Sequence, residues 1–91
     1  MDETQVITVR YWAAARAAAG VDREDVAVDG ALSLADLMHR LLAAHDDERF
    51  AAVVAVCSVL VGDRPVGTLD PAGVTVEPGA TVELLPPFAG G

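Results

Sequence analysis

Residues 33 to 42 place the tightest limit on the fold. Ser33 is followed three residues on by Asp36, the S-x-x-D form of a helix-capping box. Leu34, Leu37, Met38, Leu41 and Leu42 then recur at helical spacing and form one apolar stripe. A helix with a single apolar face must bury it against another element. Most other periodic segments of this chain have the pattern of short strands, so a sheet is the expected partner.

Gln5 to Trp12 reads as the first strand, with Ile7, Val9 and Tyr11 alternating with Thr8 and Arg10. Ala13 to Ala19 are strong helix formers that stop at Gly20. Glu24 to Val28 reads as a second strand, closed by Asp29-Gly30. After the main helix, Asp46, Asp47 and Glu48 read as a solvated acidic break. Phe50 to Val56 fits either a short helix or the approach to a strand, since periodicity does not separate the two at this length. Ser58 to Val61 is β-rich and meets a hairpin signal at Gly62-Asp63. Asp70 to Gly73 is a turn, and Val74 to Val76 a short strand. Pro78-Gly79 suits a type II turn before the last strand, Thr81 to Leu85. The order predicts an α+β architecture: a mixed sheet packed on one main helix, with the first and last strands at its centre.

The chain has 91 residues, enough for one small core, and just over half are hydrophobic. One domain over residues 1–91 is expected, with a flexible tail from about residue 86. The net charge of −8 argues against nucleic-acid binding through a basic patch and favours a partner with a basic surface. The single cysteine, Cys57, excludes an intramolecular disulfide and fits a reducing compartment. Met1-Asp2-Glu3 is unlike a signal peptide, and no apolar run is long enough to span a membrane, so a cytoplasmic location is expected. All six basic residues are arginine. Genomic base composition accounts for that most simply, although a lysine-free chain also offers no ε-amine to capture its own activated terminus.

The sequence ends Pro86-Pro87-Phe88-Ala89-Gly90-Gly91. Two prolines end a ladder and favour an extended exit. A Gly-Gly tail carries no Cβ atoms and fits a channel too narrow for other residues. The α-carboxylate at its tip, with a reference pKa of about 3.5, is ionised at neutral pH. A carboxylate is a poor acyl donor until it is activated. Attack on an ATP α-phosphate would give an acyl-adenylate, from which a sulfur nucleophile could displace AMP. Two anions meet in that step, so a partner must supply metal ions or cationic side chains. The chain has no phosphate-binding loop, no metal-ligand cluster and no evident nucleophile–base pair of its own. A frayed glycine terminus is the bland alternative.

The whole chain, from Val6-Ile7-Thr8-Val9-Arg10-Tyr11-Trp12-Ala13 to Gly91, resembles the MoaD/ThiS sulfur carriers of the ubiquitin-like β-grasp fold. The likeness rests on that opening stretch through Arg16 to Gly20, and on Val82-Glu83-Leu84-Leu85-Pro86-Pro87-Phe88-Ala89-Gly90-Gly91. Within the family it is most similar to the small subunit of molybdopterin synthase. Phe88 departs from the usual smaller aliphatic residue, and Gly79-Ala80 from the frequent Gly-Asp. The resemblance implies that an E1-like enzyme, using ATP and Mg, adenylates Gly91, which is then thiocarboxylated. It implies that Gly90 threads the large subunit's channel, that Pro86, Pro87, Phe88 and Ala89 contact the partner, and that the sulfur goes to a pterin precursor. It implies no cofactor or metal bound by this chain, and no nucleic-acid or membrane partner. Other acceptors for the sulfur and a ubiquitin-like modifier role are the alternatives.

Cys57 reads as a small buried hydrophobe opening a strand. His39 and His45 read as partly exposed helix residues rather than metal ligands. Tyr11 and Trp12 must face opposite ways, one into the core and one towards a possible interface. Arg16 reads as solvated.

Overall fold

Alternation along the strands and the capped leucine stripe assemble as those patterns require. The computed structural model describes residues 5–87. Strand β1 runs Gln5–Tyr11 and is followed by helix α1, Ala13–Ala19, which ends on Gly20 in the left-handed region at φ 82°. Strand β2, Arg23–Val28, returns antiparallel to β1. Strand β3, Leu32–Ser33, leads into helix α2, Leu34–Ala44, where the Ser33 hydroxyl accepts from the Asp36 N–H at 3.0 Å. Helix α3 is Glu48–Ala55, and strands β4 (Ser58–Val61) and β5 (Arg64–Pro65) form the next hairpin. A 3-10 turn at Pro71–Gly73 precedes β6, Thr75–Val76, and the last strand β7, Thr81–Leu85.

The main sheet has the order β2-β1-β7-β4-β5, and β3 pairs with β6 in a separate two-stranded ribbon. Strands β1 and β7 are parallel, with Tyr11 opposite Leu84. The two most regular strands therefore occupy the interior of the sheet, as their patterns predict. Every other strand contact of the main sheet is antiparallel.

One face of this sheet forms the core. Ile7, Val9 and Tyr11 of β1 and Val82 and Leu84 of β7 are buried with Leu34, Leu37 and Leu41 of α2. Phe50 and Val54 of α3 join them. The stretch that sequence left open is thus a helix, and the main helix shares the core with it. The expected acidic loop is corrected at this point. Asp47 caps α3 by accepting from the Arg49 N–H at 2.8 Å, and Glu48 lies in its first turn, where a carboxylate opposes the positive helix end. No helix among the described residues is long and apolar enough to cross a membrane.

Leu37 is fully buried on the stripe. Leu37→Ala is expected to cost about 2–5 kcal/mol, read as a lower urea midpoint at unchanged slope.

Candidate functional site: the root of the C-terminal tail

Because β1 and β7 are parallel, both leave the sheet at the same end. The last paired residue of β7 is Leu85, opposite Ser58 of β4. Pro86 follows half-buried and Pro87 exposed. A proline has no N–H to give to a neighbouring strand, so the ladder stops there. The proposed site residues Phe88, Ala89, Gly90 and Gly91 lie outside the described residues. Of the expected partner-contact residues, Pro86 and Pro87 are placed at the sheet end.

The outer face of this end carries a small polar and aromatic cluster. Ala13 has a positive φ of 49°, unusual for a residue with a Cβ, and turns the chain off β1 into α1. Trp12 is left 42% exposed. Its backbone N–H donates to the Leu84 carbonyl at 3.2 Å, and its indole N–H donates to Glu83 Oε1 at 3.0 Å. The Arg10 guanidinium lies 4.8 Å from the Trp12 ring centroid and pairs with Glu83 at 3.7 Å. Alternation put Tyr11 and Trp12 on opposite faces, and Tyr11 takes the buried side with Ile7 and Val9.

The inner face holds a network that sequence reasoning missed. The Tyr11 hydroxyl donates to Glu24 Oε1, and His45 Nε2 meets the same oxygen at 2.6 Å. The His45 ring stacks on Phe50 at 4.4 Å, and Tyr11 meets both rings edge-on. His45 is therefore half-buried, in keeping with the partial exposure expected of it, but it caps the end of α2 and is held by partners. His39 is exposed on α2. The network joins β1, β2 and the α2–α3 junction, which are far apart in sequence. Only the shared sheet end brings them together, and no local signal announces that.

Burial, followed by the Glu24 hydrogen bond and charge, raises the Tyr11 phenol above its ordinary value. The folded state then holds this proton at a pH where the unfolded chain releases it, at about 10. The stability from this proton is present below that pH and declines as pH rises above it. Tyr11 is the only tyrosine. Absorbance at the tyrosinate wavelength is expected to rise only together with alkaline unfolding. A rise at the pH of free tyrosine, with the fold intact, would contradict the buried network.

Cys57 lies between α3 and β4 and not within a strand, and it is half-buried. Its Sγ donates to the Val53 carbonyl at 3.3 Å, and burial pushes the thiol pKa up. It lines an apolar groove of about 480 Å³ with Met38, Leu42 and Val54. A raised thiol pKa reduces the thiolate fraction, so the side chain has the character of a structural residue. Arg16 is exposed, with no ion pair among the described residues.

No family profile and no curated protein matches the chain. Solved structures do. The chain is similar to SAMP1 from Haloferax volcanii at 22% identity and a TM-score of 0.78, over 94% of this chain and 99% of that one. It is similar to a putative molybdopterin converting factor subunit 1 from Pyrococcus furiosus, at 24% identity and 0.75, over 93% and 100%. The chain has the ubiquitin-like β-grasp fold. A further β-grasp relative comes from the complex of subunits 1 and 2 of molybdopterin-converting factor from Helicobacter pylori, at 20% identity and 0.65, over 94% and 99%. At these identities the likeness establishes the β-grasp fold. It extends along nearly the whole chain, as the resemblance implied.

Proposed function

We propose that this chain is a sulfur carrier whose Gly91 carboxylate is adenylated by an E1-like enzyme and converted to a thiocarboxylate. One observation carries the reading. The interior strand of a β-grasp sheet runs straight into Pro86-Pro87, ahead of a sequence ending Ala89-Gly90-Gly91. Such an arrangement would present a side-chain-free acyl group beyond the folded body, where another protein's active site could enclose it. Tethering the sulfur raises its effective concentration at the acceptor. The described residues of this β-grasp body then serve to position the tail and dock partners, and the catalysts lie on those partners. ATP and Mg belong to the activating enzyme. The acceptor we favour is a pterin precursor held by a molybdopterin synthase large subunit. The Pro-Pro-x-Ala-Gly-Gly ending and the similarity to a molybdopterin converting factor subunit support that choice.

A second reading is a protein modifier joined to lysines, favoured by the similarity to SAMP1, the small archaeal modifier protein 1 of Haloferax volcanii. Reconstitution separates the two. Thiocarboxylated chain mixed with a candidate large subunit and its pterin precursor is expected to return as carboxylate, with sulfur in the pterin product. Isopeptide adducts on lysines of other proteins, with no sulfur transfer, would favour the modifier.

Trp12 is the only tryptophan and stands at the tail root. Docking of a partner over that end is expected to shift its emission to the blue and protect it from a soluble quencher. Unchanged emission in a complex proven by sedimentation would remove Trp12 from the interface.

A further inference from the structure

The two edges of the main sheet differ. Thr8 N–H donates to Ala80 O at 3.1 Å, Trp12 N–H to Leu84 O at 3.2 Å, and Val6 O accepts from Gly79 N–H at 2.8 Å. Even-numbered residues of β1 thus turn their backbone towards β7. Tyr11 N–H instead donates to Asp22 O at 2.9 Å, so odd-numbered residues face β2. Their partners by register are Glu24, Val26 and Val28. In an antiparallel pair the intervening residues point the other way. Arg23, Asp25 and Ala27 therefore turn N–H and C=O groups outward, at the open edge of the sheet.

The Ala27 carbonyl is taken by the Arg40 guanidinium at 2.9 Å. Among the described residues, no hydrogen bond occupies the outward backbone groups of Arg23 and Asp25. The opposite edge is β5, two residues long and containing Pro65, which blunts it against added strands. Asp22, Asp25 and Asp29 lie exposed on or beside β2, against Arg23 and the Arg40 seated on Ala27, in a chain of net charge −8. The Glu24 carboxylate is turned instead to Tyr11 and His45 on the inner face. The open edge thus combines free pairing groups with a negative field.

We propose that the β2 edge accepts an extended, positively charged segment of a partner protein as an added strand, paired to the backbone of Arg23 and Asp25. Main-chain hydrogen bonds would supply register, and the acidic surround would select the charge. The surface is separate from the tail chemistry, so the proposal stands or falls independently of sulfur loading.

Amide hydrogen exchange on the full chain tests it. The probe is a short blocked peptide of alternating arginine and valine, with a glutamate–valine peptide as control. The basic peptide is expected to slow exchange at Arg23 and Asp25, with the effect fading as salt is added. Asp25→Pro removes an outward donor and spares the backbone bonds to β1, while also removing the carboxylate that accepts from the Thr8 hydroxyl at 2.8 Å, and is expected to weaken binding by about tenfold. If that variant does not fold, the wild-type exchange pattern decides alone. Absence of protection at these amides, protection elsewhere only, equal binding of the acidic peptide, or protection caused by a second copy without peptide would each overturn the proposal.

Discussion

Adding one residue after Gly91 is expected to abolish sulfur loading and to leave thermal unfolding unchanged. The loss follows from the chemistry proposed for the tail. Only the terminal carboxylate can be adenylated, and one more residue carries it about 3.5 Å beyond the position that Gly91 would present. Any residue but glycine would also introduce a Cβ into a channel proposed to fit only the glycine tail. The unchanged stability follows from the fold. The ladder ends at Leu85, Pro87 is exposed, and the added residue lies five positions beyond Pro87, so no core contact among the described residues is changed. Intact mass and a melting curve on the same sample check both halves. Full loading would contradict the acyl-tail account, and unfolding would contradict the separation of tail from body.

Phe50→Ala has the largest stability effect expected, about 3–5 kcal/mol. Phe50 is among the largest fully buried side chains, and its ring supports both His45 and Tyr11. Truncation opens a cavity beneath the sheet end from which the tail departs, since Tyr11 lies opposite Leu84. Small domains hold only about 5–15 kcal/mol in total, so the variant would lose a large part of its stability. The urea midpoint measures it. A loss below about 1 kcal/mol would show that α3 does not close the core as described.

The contrast between Phe50 and the main helix shows what was legible in the sequence. The leucines of α2 leave one polar face, so their period is visible, and Ser33 and Asp36 mark the start. The α3 segment is apolar almost all round, so its period is hidden. Its start depends on Asp47, which in sequence is one of three acidic residues in a row. Cys57 was misplaced for a related reason, because the end of α3 and the start of β4 run together in one apolar stretch. At the tail, the Pro-Pro and Gly-Gly signals were plain, but the placing of Pro86 and Pro87 at the sheet end where Trp12 stands depends on the parallel pairing of β1 and β7, a long-range contact. The Tyr11–Glu24–His45 network lies further still from any local pattern.

The chain should be incubated with ATP, magnesium, a sulfide source and an adenylating enzyme proven on another carrier, and its intact mass then measured. Exchange of one oxygen for one sulfur, localised to the C-terminal peptide, is the predicted result. An unchanged mass under those conditions would contradict the sulfur-carrier account.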